Sequence, residues 1–340
     1  MAKQAHSRVR KRRRGCLGGC LVKIILLLGL GALLFVGACL TGIVRIDETT
    51  GAPQISLENF ALPEQIQGIG LPQIDLSGML SGLSLEGLSV PSWPYGVEKS
   101  GLTVKTLRAG AGEAVLVCCD GYMMLLGGGE NGLLTAGQLL LCGAGNLSAV
   151  AAMDLYQGRT GGMETVLSLM KPTYLLYPDS QTKSAAFNSM IERAKKSGTQ
   201  LVAPEQGLTF SLGRATVRFV GPKYKHHTDE RDDGLSVRID YGDTSVLVMG
   251  GVTQAAEREI ISSGAPMDAD VLICGLGGSE EATSGVLVTA VTPKIALMTG
   301  ENPANAVKVR LERVGCKVYT AEEHGVMTVH SDGREIHVTP

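Results

Sequence analysis

Hydrophobic and polar positions change their pattern three times along the chain. From Ile24 to Val44 no residue is charged. At a helical rise of about 1.5 Å per residue that run is long enough to cross a hydrocarbon core of about 30 Å. The pattern therefore predicts a transmembrane helix over 21–45, behind a basic arm over 1–20. A linker over 46–97 follows, where Pro63, Pro72, Pro91 and Pro94 forbid a continuous helix and Gly, Ser and Leu dominate. The body, 98–340, has the periodicities of strands and helices.

Within the body, Leu102 to Leu107 reads as a strand, and Glu113 to Cys119 joins Tyr122 to Leu126 across Asp120-Gly121, a two-residue hairpin signal. Phe187, Met190, Ile191 and Ala194 fall at helical spacing up to Gly198, and Gln200 to Ala203 returns to a strand. Leu235, Val237, Ile239 and Tyr241 alternate with Ser236, Arg238 and Asp240, then turn at Gly242-Asp243 into Thr244 to Met249. Thr253 to Ile261 and Gly285 to Val291 are predicted helices, Val271 to Cys274 and Lys294 to Met298 predicted strands, and a helix is predicted from Asn302 to Gly315. Three short strands close the chain, the last two joined across Ser331-Asp332-Gly333. Hairpins mixed with helical crossovers give an α/β or α+β layered fold.

Charge changes the picture at one end only. Net charge is −2, yet Arg8, Arg10, Lys11, Arg12, Arg13 and Arg14 crowd the amino terminus, so the remainder is acidic. Outside the arm the charge gives no support to a nucleic-acid groove. Basic residues before the apolar run place residue 1 in the cytoplasm and the body outside the cell membrane, as a single-pass protein. A cleaved signal peptide and a lipid-modified Cys39 are the alternatives. Five of the eight cysteines lie in the body, mostly in apolar runs without C-x-x-C spacing, and read as buried free thiols.

The order of these elements and several short strings resemble the metallo-β-lactamase-fold hydrolase domain of ComEC/Rec2-type competence proteins. L-R-A-G-A-G-E-A-V-L-V (107–117) leads to M-L-L-G-G-G (124–129), where the family has D-V-G-Q-G-D-A and then D-x-G. A-V-A-A-M-D-L-Y-Q-G-R-T-G-G (149–162) stands where the family has a strand running into H-x-H-x-D-H-x-G-G. L-S-V-R-I-D-Y-G-D-T-S-V-L-V-M-G-G-V-T-Q-A-A-E (235–257) and A-D-V-L-I-C-G-L-G-G-S (269–279) match two further motifs, the second in place of A-D-V-L-K-V-x-H-H-G-S. The resemblance implies a four-layer αββα sandwich. It also places the family's metal ligands at Asp154, Tyr156, Gly158, Arg159, Gly251, Leu276 and Gly277, of which only Asp154 is an ordinary metal donor.

A zinc site needs about four donors, and Arg159 would repel a dication, so the expected cofactor is none, with zinc as the alternative. The expected function is a catalytically inactive, membrane-anchored domain that binds or scaffolds an unidentified protein. The alternative is a divergent metal-dependent hydrolase of phosphodiesters or nucleic acid. K-Y-K-H-H-T-D-E-R-D-D offers His226, His227 and Asp229 as a substitute metal site, against the simpler reading of a solvated charged loop. A third reading seats a small anion in the vacated cleft near Asp154, Arg159 and Ser279. Ser279 has no nucleophile-elbow frame, and its simpler role is a helix N-cap.

Overall fold

The computed structural model describes residues 44–46, 53–55, 100–110, 112–155, 161–181 and 184–339. The chain divides into two units, Met1–Ser89 and Val90–Pro340. In the first, β1 (Val44–Ile46) pairs antiparallel with β2 (Pro53–Ile55). This corrects the reading of the amino terminus. The predicted spanning helix was to run through Val44, but Val44 and Ile46, β-branched residues suited to extended backbone, open a strand. Among the described residues no helix is long and apolar enough to cross a membrane. The transmembrane helix, the single-pass cell-membrane localisation with an extracellular body, and the membrane as a partner are therefore not carried forward. The rest of the arm, the apolar run and the linker lie outside the described residues.

The second unit begins with β3 (Leu102–Thr106), β4 (Val115–Cys119) and β5 (Tyr122–Leu126), followed by α1 (Gly132–Leu141), β6 (Ala149–Ala151), α2 (Met163–Met170), β7 (Tyr174–Leu176), α3 (Ala185–Ser197) and β8 (Gln200–Val202). Then come β9 (Thr209–Leu212), β10 (Ala215–Gly221), β11 (Ser236–Tyr241), β12 (Thr244–Val248), α4 (Gln254–Ser262), β13 (Val271–Ile273) and α5 (Gly285–Val291). The chain finishes with β14 (Ile295–Met298), α6 (Asn305–Glu312), β15 (Lys317–Thr320), α7 (Ala321–His324), β16 (Thr328–Ser331) and β17 (Ile336–Thr339).

Local chemistry sets many of these boundaries. Asp120 and Gly121 both have positive φ, as a type I′ hairpin requires. Gly198, at φ +77°, closes α3 by donating to the carbonyls of Ala194 and Lys195. Thr253 and Ser284 cap α4 and α5 through their side-chain oxygens. The helix predicted from Asn302 starts three residues later, at Asn305.

Two sheets result, ordered β17-β16-β3-β4-β5-β6-β7-β8 and β15-β14-β13-β12-β11-β10-β9. Their facing sides share one apolar interlayer, to which alternate residues contribute: Val104, Val115, Val117, Met124 and Leu126 from one sheet, Val217, Phe219, Val237, Ile239, Val246 and Val248 from the other. The outer face of the first sheet is covered by α1, α2 and α3 through Leu139, Val166, Leu167, Phe187 and Met190. Ala256 and Ile260 of α4, Leu287 and Val288 of α5, and Val307 and Leu311 of α6 cover the second. The layers therefore run α, β, β, α, the sandwich that the resemblance implies.

The sheets are fastened at their hairpin end. Arg214, between β9 and β10, forks onto Asp120, between β4 and β5, at 2.8 and 2.7 Å, and stacks 5.3 Å over the Tyr241 ring. Asp243 donates its backbone N–H to the Gly333 carbonyl at 2.7 Å, and the Thr244 and Ser331 hydroxyls meet at 2.7 Å. Cys118, Cys119, Cys142, Cys274 and Cys316 are buried free thiols.

The interlayer dominates stability, so Phe219→Ala in the full chain is expected to cost about 3–5 kcal/mol. Truncation of the exposed Tyr122 to Ala should stay within about 0.5 kcal/mol of the parent. Urea denaturation midpoints of the two variants test this, and equal losses would contradict it.

Candidate functional site

In layered α/β folds, chemistry gathers beyond the carboxyl ends of parallel strands. Here β5, β6 and β7 run parallel in one sheet and β12, β13, β14 and β15 in the other. Chain leaving β6 reaches Asp154, chain leaving β12 reaches Gly251, and chain leaving β13 reaches Leu276 and Gly277. Four of the positions that the resemblance assigns to metal ligands thus sit at one end of the sandwich. Tyr156, Gly158 and Arg159 lie outside the described residues.

These strand ends touch through backbone. A methyl group built on Gly251 would lie 2.5 Å from both Cβ and Oδ2 of Asp154, and one on Gly250 would lie 2.5 Å from the Leu235 carbonyl oxygen. Leu235 donates its N–H to the Met153 carbonyl at 2.9 Å, Leu276 donates to the Gly250 carbonyl at 2.8 Å, and Gly300 donates to the Gly277 carbonyl at 2.9 Å. Asp154, 4% exposed, therefore lies with its side chain against the Gly251 backbone.

Leu276 has φ +50° and ψ +32°, a left-handed conformation that a residue with a Cβ adopts at a cost of about 1–3 kcal/mol. Gly277 follows in the same region at φ +66°. Leu276 is buried.

Could this end hold a metal? Of the described positions only Asp154 offers a donor, since Gly251, Leu276 and Gly277 have none, and the space a side chain at Gly251 would need is taken by Asp154. A catalytic zinc requires three protein ligands. The described residues do not fit the metal. Among the described residues no group of three or more His, Cys, Asp or Glu side chains is arranged to hold an ion.

The charged loop after β10 is built differently from a metal cage. His226 faces Asp179 at 3.5 Å. His227 turns away from it, with Nδ1 2.7 Å from Asp233 Oδ1 and Nε2 2.9 Å from Glu259 Oε2. Asp229 takes a forked contact from Arg231, which also reaches Glu281. That arginine holds the Asp229 carboxyl below its ordinary range. The three residues offered as a substitute metal site thus face three different sets of partners.

Ser279 accepts the Glu281 N–H at 3.3 Å within its own loop, and the cap expected of it falls to Ser284. The carboxylate that organises this region is Glu257 on α4, fully buried, which accepts the N–H groups of Thr283 and, at 2.9 Å, Ser284. Burial pushes its carboxyl above the ordinary range, against the pull of those donors. Neither the grip of Glu257 nor the Glu259 arm of the His227 bridge is legible in sequence, because those partners lie 26 to 32 residues apart.

The architecture is metallo-β-lactamase-like. No protein-family model matches the chain. Over 116 residues it is 25% identical to the competence protein ComA of Neisseria gonorrhoeae, a match covering 32% of this chain and 17% of that protein. The chain thus spans under a fifth of the curated relative it matches. Similar solved structures include the metallo-β-lactamase-fold protein YhfI of Bacillus subtilis, at 14% identity and TM-score 0.46 over 66% of this chain and 98% of that one. Another is CmlA, a diiron β-hydroxylase from Streptomyces venezuelae, at 12% identity and TM-score 0.43 over 68% and 54% of the two chains.

The contact between Gly251 and Asp154 makes a double-mutant test. Gly251→Ala alone should destabilise by about 1–3 kcal/mol through overpacking. In an Asp154→Gly background, which removes the opposing Cβ and carboxylate, most of that added cost should disappear. Chemical denaturation of the four proteins checks it; simple additivity would mean that the two residues do not meet.

Proposed function

We propose that this is a metal-free, non-hydrolytic domain descended from the ComEC/Rec2-type hydrolase, retained for binding or scaffolding. The observation that carries the reading is the apposition of Asp154 with Gly251, beside Leu276 and Gly277. The family's ligand frame persists as backbone while its donors are replaced by glycine and leucine. A metallohydrolase depends on its ion to bring bound water to a pKa near 7, and residues that cannot hold the ion leave that nucleophile without a source.

The partial match to ComA supports the descent. It does not extend to transport or DNA uptake, since it spans so little of that protein. The partner is a protein or a small anion. Of the residues offered for the anion, Arg159 lies outside the described chain and Ser279 is engaged in its own loop.

The test is metal content by plasma mass spectrometry on the full chain, purified without chelators with zinc and manganese supplied, alongside turnover of a generic phosphodiester. No stoichiometric metal and no turnover are expected. One ion or more per chain together with turnover would overturn the proposal and return the domain to the hydrolases.

A further inference from the structure

His227 sits between two carboxylates, a geometry that its charged form satisfies where both acids are ionised. Its two ring nitrogens each face a carboxylate oxygen, Asp233 Oδ1 at 2.7 Å and Glu259 Oε2 at 2.9 Å. An ionised carboxylate only accepts, so both nitrogens must donate, which requires the imidazolium. Neutral imidazole carries one N–H and would turn a lone pair towards one of the two acids.

The surroundings give that proton structural weight. The Asp233 side chain is fully buried, its Oδ1 also accepts the His227 backbone N–H at 3.0 Å, and its Oδ2 has no hydrogen-bond partner. His227 is 16% exposed, and Glu259 is 32% exposed on α4. Asp229 caps the short helix Glu230–Asp233, which begins with Glu230 and ends with Asp233, and Asp229 is paired with Arg231. On the segment of His227 itself, Lys225 reaches Asp179 and Glu205, and His226 reaches Asp179. No cation but His227 lies between Asp233 and Glu259 among these contacts.

The segment so fastened reaches the candidate site. Its last residues, Gly234 and Leu235, pack on Met153, the neighbour of Asp154, and Asp232 Oδ1 accepts the Thr253 N–H and hydroxyl at the start of α4. Arg231 ties the same segment to the 279–284 loop through Glu281. Loosening it would therefore move one wall of the glycine-lined end.

We propose that His227 is a proton-operated latch: protonated, it clamps the 222–234 segment to α4 beside the glycine-lined end of the sandwich; deprotonated, it releases it. The latch is independent of whether the domain hydrolyses anything. Burial works against the charge on His227, but the hydrogen bonds to Asp233 and Glu259 outweigh it and hold the imidazole above its ordinary range. A raised folded value means that the stabilisation is complete below the ordinary imidazole range and is lost as pH climbs through the raised value. The latch closes on the acidic side and opens on the alkaline side.

Amide hydrogen exchange on the full chain, corrected for intrinsic rates and followed from pH 5.5 to 9, reads the segment directly. In the parent, protection over 222–234 and the first turns of α4 should fall by roughly tenfold or more across one step. His227→Gln should show weak protection at every pH, and His226→Gln should keep the step. Glu259→Gln, which removes one acid from the exposed side of the bridge, should shift the step to lower pH. It also serves as the deciding variant if His227→Gln does not fold. A parent without a step, a step that survives His227→Gln, or one unmoved by Glu259→Gln would overturn the latch.

Discussion

The second unit depends on a single apolar layer trapped between two twisted sheets. Each strand that borders it must present apolar residues on one face for its whole length, and a slip of one residue would turn that face outward. Val115, Val117, Met124 and Leu126 meet Val217, Phe219, Val237 and Ile239 on those terms. Once the layer is filled, the hairpin end is drawn shut by Arg214 on Asp120 and by the turn of Gly242-Asp243 against Gly333, where a methyl on Gly242 would lie 2.3 Å from the Gly333 carbonyl oxygen. The opposite end carries none of those clasps. It is the place where residues can change without undoing the sheets, and it carries the described positions that the resemblance assigns to metal ligands.

Legibility follows the range of the interactions. Strand alternation and hairpin chemistry act over a few residues, so the pairings across Asp120-Gly121 and Gly242-Asp243 can be read from the chain, as can α3 with its closing Gly198. α1 is harder to read: Gly132–Leu141 contains Leu133, Leu134, Leu140 and Leu141, three of them exposed, and the helical stripe is blurred because its outer face is nearly as apolar as its inner one. The amino-terminal run shows the opposite error. Length and absence of charge satisfy the arithmetic of a membrane span, yet that arithmetic takes no account of β-branched residues at the edge of the run, and Val44–Ile46 pair as a strand.

At the candidate site, the motif frame picks out Asp154, Gly251, Leu276 and Gly277, which follow the ends of β6, β12 and β13. What the frame cannot supply is the use made of the neighbouring charges. The string from Lys223 to Asp233 looks like a collection of donors for one ion, since adjacent residues in a sequence are easily imagined together. In three dimensions its members diverge towards Asp179, Glu259, Glu281 and Thr253, which lie in separate parts of the chain.

The loops at the glycine-lined end leave two different sheets and need fastening to one another. At this end of the sandwich that work is distributed over buried carboxylates. Glu257 grips Thr283 and Ser284 and so joins α4 to the start of α5, Asp232 holds Thr253, the cap of α4, and Asp233 holds His227. Each carboxylate accepts from backbone or side-chain donors that would otherwise be buried unmatched, and an unmatched group costs about 1–3 kcal/mol. Leu276 keeps the left-handed backbone of the frame because its N–H is bound to the Gly250 carbonyl and its side chain is buried. The strain there is therefore held by packing, with no donor for an ion to reward. Order around the glycine-lined end consequently rests on ionisable groups, and because the His227 bridge among them depends on a titrating proton, the contacts that steady this end also make it sensitive to acidity.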